Sequence, residues 1–159
     1  KLGHLTVIEH EKITVRFVFD RGISHEMVRH RLASFSQEST RYCNYSKDKH
    51  DNQITVVNLS QYLKNEKSLK VWIDSINNAE KAYFQLITLG ETAQIARGVL
   101  PTSLKTEIVV TANLREWHLI LTQRTANDAH PQIRDVMRLL LNDLKQKLPA
   151  IFNSVNYEN

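Results

Sequence analysis

The spacing of apolar positions changes several times along the chain, and each change marks an element. Ile13 to Phe19 first alternates apolar with polar residues and then turns aromatic and β-branched, which predicts a strand. Asp20-Arg21-Gly22 follows as a turn. Ser24 is placed to cap a helix running to about Ala33, with Ile23, Met27 and Val28 on one side and Glu26, Arg29 and His30 on another. Ser34 to Asn44 is hydroxyl-rich and without helical period, so it reads as extended chain or loop, and Ile54 to Val57 reads as a short strand. From Lys67 to Leu89 the apolar residues Leu69, Trp72, Ile73, Ile76, Ala79, Tyr83, Leu86 and Ile87 recur at helical spacing, and Gly90 ends the run. A short helix over Thr92 to Gly98, a break at Pro101, a β-branched strand over Thr106 to Ala112 and a helix over Leu114 to Thr122 come next. Pro131 opens a last helix to Leu148, with Ile133, Val136, Met137, Leu140, Leu144 and Leu148 on one stripe. These stripes are read as core, and no function is taken from them. The class is α+β: few strands and several long helices.

Composition narrows the function only a little. At 159 residues, 42% hydrophobic and 24% charged, the chain suits one globular domain over 1–159. Cys43 is the single cysteine, so an intrachain disulfide and a thiolate zinc cage are both excluded, and a reducing, cytoplasmic setting is expected. No apolar run reaches the roughly 20 residues of a membrane span. The chain opens at Lys1 without Met, which leads us to expect an incomplete N-terminus. A net charge of +4 and a pI of about 9.2 favour anionic partners in general, and the placement of the arginines carries more information.

The chemistry concentrates between Glu26 and Tyr42. Arg29, His30, Arg31 and Arg41 are interleaved there with Ser34, Ser36, Ser39 and Thr40. Guanidinium forks and hydroxyls together suit phosphate. On a helix, neighbours in Arg29-His30-Arg31 point about 100° apart, so one ligand would meet some of them and a second ligand or subunit the others. A solvated basic helix face is the plain alternative for such a triplet.

Arg29-His30-Arg31, seven residues and then Ser39 resembles the signature of the flavin-dependent thymidylate synthases, the ThyX family. Ser39-Thr40-Arg41-Tyr42 resembles that signature's continuation. Gly3-His4-Leu5-Thr6 with Glu9-His10, Ala96-Arg97-Gly98-Val99-Leu100-Pro101, and Asn113-Leu114-Arg115-Glu116-Trp117 with Arg124 resemble three further family segments in the right order. The resemblance spans Gly3 to about His130. It implies a single ThyX-like domain with a small mixed sheet flanked by long helices, assembled as a homotetramer with sites between subunits. It implies methylation of dUMP to dTMP, with 5,10-methylenetetrahydrofolate as one-carbon donor and NADPH-reduced FAD as hydride donor. It assigns dUMP to Glu26, Arg29, Gln37, Ser39, Thr40, Arg41, Arg97 and Arg124, and FAD to Thr6, Arg29, His30, Arg31, Gln37, Asn113 and Arg115. Arg124 matches the arginine assigned to activating the uracil ring, so it is the catalytic candidate. The pattern departs at Leu119, where relatives often carry His or Asn. His118 is then either a substitute contact or a helix-surface histidine.

Cys43 directly follows Arg41-Tyr42, yet the signature of the cysteine-dependent thymidylate synthases is absent, and a catalytic thiolate is not expected. Ser39 is read as a ligand-binding hydroxyl, not a nucleophile. His25 and His30 lack the i, i+4 spacing of a zincin pair, so no metal is expected. There is no G-x-G-x-x-G and no P-loop. A nucleic-acid-binding module is the rival from another class, supported by the basic pI. Against it, Phe35, Tyr42 and Tyr45 form no RNA-binding signature, so neither nucleic acid nor membrane is expected as a partner. A catalytically dead nucleotide-binding relative is a third reading, against which Arg124 argues.

Overall fold

The computed structural model describes residues 5–46 and 52–157; Gly3 and His4 of the first family segment lie outside them. Three strands, β1 (Lys12–Asp20), β2 (Ala33–Gln37) and β3 (Lys105–Asn113), form one sheet in the order β1-β3-β2. The helices are α1 (Arg21–Met27), α2 (Glu66–Thr88), α3 (Ala93–Ala96), α4 (Leu114–Arg124), α5 (Pro131–Lys147) and α6 (Pro149–Phe152). The chain divides into two compact units: residues 1–17, 25–36 and 108–159, and residues 18–24 and 37–107.

The sheet is antiparallel rather than mixed. Leu114 donates to the Glu11 carbonyl at one end of the β1–β3 pair and Arg21 to the Leu104 carbonyl at the other, both at 3.0 Å, so the two chains run in opposite directions. Glu38 donates to the Glu107 carbonyl at the end of β2 in the same sense. β1 and β2 do run alike, but β3 lies between them, so no parallel pair forms. The period of two is visible in β3, where Thr106, Ile108, Val110 and Ala112 are buried and the residues between them are half-buried.

In the first unit, Trp117, Ile120 and Leu121 of α4 and Ile133, Met137 and Leu141 of α5 are fully buried. Trp117 lies 6.1 Å from the Phe17 ring and donates its indole N–H to the Ile13 carbonyl at 3.0 Å, which satisfies its one polar atom. In the second unit, Cys43, Tyr45, Ile54, Tyr83, Ala96 and Leu104 form a core cluster, with Tyr45 and Tyr83 edge to face at 5.6 Å. Gly90 ends α2 at φ +94°, a conformation that favours glycine.

Four expectations change. First, α1 begins at Arg21, and its cap is Asp20, whose Oδ1 accepts from Ile23 N–H at 2.8 Å. Ser24 is buried inside the helix and donates to the Arg21 carbonyl. Second, α1 stops at Met27 instead of Ala33. Arg29 and His30 donate back three residues, to Glu26 and Met27, and Arg124 takes the Glu26 carbonyl as well, so the helix ends through a tertiary contact with no Gly or Pro to announce it. The Arg29-His30-Arg31 triplet therefore lies in the turn before β2. Third, Ile54 to Val57 is no strand of its own; Val56 makes a single antiparallel bridge to Leu104. Fourth, the predicted core stripe of α2 is only partly core. Tyr83 is its one fully buried residue, Ile73 is 43% exposed, and Leu69, Trp72, Ile76, Ala79, Leu86 and Ile87 are half-buried.

Candidate active site

In the first unit, the end of α1, the turn after it and α4 bring three expected site residues into direct contact. The Arg124 guanidinium donates Nε–H to His30 Nε2, Nη1–H to Glu26 Oε2 and Nη2–H to the Glu26 carbonyl, each at 3.0 Å. Three of its five N–H groups are thus used, and two remain for a ligand. The guanidinium side chain is 20% exposed and so is reachable from solvent. Because arginine is always a donor, His30 Nε2 must present a lone pair, which places the ring proton on Nδ1. His30 is 6% exposed, and burial first and the Arg124 charge second lower its pKa to about 4. His30 is therefore a neutral imidazole. Its Nδ1 faces Glu116 Oε1 at 3.8 Å; burial pushes the Glu116 carboxyl pKa up.

The first turn of α4 forms a wall of a cavity of about 800 Å³ lined by Leu5, Glu9, Leu32, Asn113, Arg115, Glu116, His118, Leu119 and Thr122. Asn113 caps α4 by accepting from Glu116 N–H at 2.8 Å, so its amide N–H groups are left to donate outward. Arg115 forms an ion pair with Glu9, which joins two of the segments singled out in the sequence. Arg31 lines a second, more polar cavity of about 340 Å³ that shares Glu9, Leu32 and Asn113 with the first and adds Lys12 and Ser34. Arg29 is exposed, and among the described residues its guanidinium has no hydrogen-bond partner. Thr6 is exposed on a 3-10 turn, Thr6–Glu9, and lines neither cavity.

In the second unit, Ser39, Thr40 and Arg41 form a tight turn. Tyr42 and Cys43 N–H both donate to the Ser39 carbonyl, and Arg41 N–H donates to Ser39 Oγ. Arg97, at the end of α3, donates to Thr40 Oγ1 at 3.1 Å, so its guanidinium is held against this turn. Arg41 is exposed, lying 5.5 Å over the Tyr42 ring. The turn gathers one guanidinium fork and two hydroxyls, with exposed Arg41 on the same turn, and these groups suit a phosphate. Gln37 is spent differently: its amide N–H groups go to Ser24 Oγ and Thr106 Oγ1, leaving only its carbonyl oxygen for a ligand. Cys43 is buried, with its thiol 3.5 Å from Glu38 Oε1, and not presented to solvent as a nucleophile.

Residues 1–150 match the family model described as thymidylate synthase complementing protein, Thy1. The chain belongs to the Thy1 family. Its relatives include proteins named flavin-dependent thymidylate synthase from Corynebacterium diphtheriae, 30% identical over 96% of this chain and 65% of that one, and from Geobacter sulfurreducens, 34% identical over 95% and 64%. A third, from Thermococcus onnurineus, is 33% identical over 89% of this chain and 58% of its own. The chain thus spans 58–65% of the length of these three relatives.

Within this Thy1 chain the departure at Leu119 is concrete. Leu119 is 45% exposed and offers the larger cavity an apolar wall, while His118 lines it with a ring whose Nε2 lies 3.0 Å from Ser154 Oγ. Apolar walls from Leu5, Leu32 and Leu119, with donors from Asn113 and Arg115, fit an amphipathic aromatic cofactor such as a flavin. Two residues of this region were not singled out as site residues in the sequence, Glu9 and Glu116. Glu116 carried a readable signal: it is a carboxylate beside Trp117 and four residues before Ile120, on the buried side of α4. Among the described residues no cluster of His, Cys, Asp and Glu is arranged to hold a metal ion.

Proposed function

We propose that this protein is a flavin-dependent thymidylate synthase that converts dUMP to dTMP. The observation that carries the reading is Arg124, at the position the family gives to its uracil-activating arginine, with two N–H groups uncommitted and a neutral imidazole at its back. When bound, reduced FAD would supply the hydride that completes the methyl group taken from 5,10-methylenetetrahydrofolate, with NADPH as the reductant. Arg124 offers fixed positive charge to the uracil ring as negative charge develops there, and its partners hold it in place beforehand, so little reorganisation accompanies the step. No thiolate is required.

Ser39, Thr40, Arg41 and Arg97 are assigned to the phosphate and sugar of dUMP, with Arg29 as a further phosphate ligand. Glu26 and Gln37 contribute acceptors, Glu26 chiefly by holding Arg124. Asn113, Arg115, Arg31 and Thr6 are assigned to FAD, and His30 acts on its neighbour Arg124 more than on the flavin. The enzyme works as a homotetramer. The exposed apolar residues Val71 and Ile73 of α2, and a groove at the other end of the helix lined by Phe84 and the exposed Leu89, support burial against further copies. Among the described residues no helix is long and apolar enough to cross a membrane, and we place the enzyme in the cytoplasm.

The test is an absorption spectrum of the protein loaded with FAD, before and after dUMP. A dUMP-dependent shift of the flavin bands is expected, because the two ligands share a site. A protein that retains no FAD, or whose flavin bands ignore saturating dUMP, contradicts the reading.

A further inference from the structure

His30 lies across α4, with one ring nitrogen toward the last residue of that helix and the other toward its first turn. Arg124 and Glu116 are eight residues apart on α4, about 12 Å along its axis. The Arg124 side chain meets Nε2 at 3.0 Å, and the Glu116 carboxyl faces Nδ1 at 3.8 Å. We infer that Glu116 is a positioning residue for Arg124, acting through the tautomer of His30. This rests on the proposed role of Arg124 in activating uracil.

Arg124 Nε is a donor only, so it needs a bare lone pair on Nε2; the ring proton must then sit on Nδ1. An Nδ1–H in this 6%-exposed side chain gains from an acceptor, and Glu116, 5% exposed, is the acid that faces it. The 3.8 Å separation is longer than a hydrogen bond, so the attraction acts through space or closes by a small movement of either side chain. An oxygen faces Nδ1 whether the carboxyl is ionised or protonated, so the acceptor role does not depend on its charge. If the ring took the other tautomer, Nε2–H would point at the guanidinium Nε–H, and Arg124 would lose one of its three contacts. The Glu116 backbone is fixed, because its N–H is held by the Asn113 cap at the mouth of the same helix. It also lines the larger cavity, so what binds there sits one residue away from the arginine's support.

Two substitutions separate this role from simple packing. Glu116→Gln keeps an oxygen acceptor of the same shape; Glu116→Met keeps the volume and removes the acceptor. Glu116→Gln is expected to hold kcat for dTMP formation within about threefold of the parent, and Glu116→Met to lower kcat by about tenfold or more with little change in KM for dUMP. Equal turnover in the two variants overturns the inference. A second readout needs no variant at Glu116: nitrogen chemical shifts of the histidine-labelled parent protein, with the His30 signals identified by their loss in His30→Gln. They are expected to show a protonated Nδ1 and an unprotonated Nε2, and a protonated Nε2 overturns the inference even if neither Glu116 variant folds. A parent protein that makes no dTMP would remove the function proposed above, while the tautomer measurement would still decide for or against the Glu116–His30 arrangement.

Discussion

Acidification should weaken the fold through one side chain in particular. His30 is neutral in the folded protein, with a pKa lowered to about 4, and in the unfolded chain it returns to its ordinary value of 6.5. The unfolded state therefore takes up a proton that the folded state refuses. The stability linked to neutral His30 is complete above pH 6.5, is lost as pH falls from 6.5 toward 4, and changes no further below that. At about 1.4 kcal/mol per pH unit the whole window amounts to about 3 kcal/mol, of which about 2 kcal/mol has gone by about pH 5. The causes are specific: burial disfavours the imidazolium first, and Arg124 repels it second. Urea unfolding at pH 7.5 and pH 5 for the parent and His30→Gln isolates the effect, since the two proteins differ in that one side chain. The parent should lose about 2 kcal/mol more than the variant over that interval. Equal losses in the two proteins would refute the assignment of a buried neutral histidine against Arg124.

Three further outcomes follow from the same contacts. Arg124→Ala removes three hydrogen bonds and strands His30 Nε2, so it should cost about 3 kcal/mol in urea unfolding as well as lowering kcat by about 100-fold or more; unchanged turnover would sink the catalytic assignment. Arg97→Ala takes one guanidinium from the Ser39–Arg41 turn and should raise the Kd for dUMP by about 10- to 100-fold, read from the flavin difference spectrum, with the unfolding midpoint little moved. Cys43→Ala should retain dTMP synthesis and lose about 1 kcal/mol of stability from the core of the second unit; loss of synthesis with both ligands still bound would return the thiol to the mechanism.

Elements with a strong local period were legible in the sequence. β3 and the three longer helices, α2, α4 and α5, lie within two residues of their predicted ends; in β3 alternate residues are buried, and Ile133, Met137 and Leu144 of the predicted α5 stripe are buried while Val136, Leu140 and Leu148 are half-buried. The region from Ser24 to Val57 was less legible. Nothing local stops α1 at Met27; Arg124, 97 positions on from Met27, takes the carbonyl at its end. Asp20 capped the helix in place of Ser24 because β1 delivers the chain one turn earlier than the hydroxyl suggests. Polar β2 could be read as loop because Ser34 and Ser36 alternate with only half-buried residues. In the candidate site, composition and spacing pointed to Arg29, His30, Arg31, Ser39 and Arg41 as one basic segment. They did not reveal that His30 turns inward while Arg29 and Arg31 stay exposed, a difference set by the Arg124 and Glu116 side chains of α4. The larger cavity and its carboxylate Glu9 were out of reach of any short-range pattern, since Glu9 meets Arg115 across more than a hundred residues.

The most direct measurement is dTMP formation by the purified protein given dUMP, 5,10-methylenetetrahydrofolate, FAD and NADPH, run beside the same mixture with FAD omitted and with Arg124→Ala in place of the parent. The account predicts dTMP from the complete parent reaction, with synthesis dependent on FAD and nearly abolished in the variant. No dTMP from the complete reaction, or the same yield from Arg124→Ala, would contradict it.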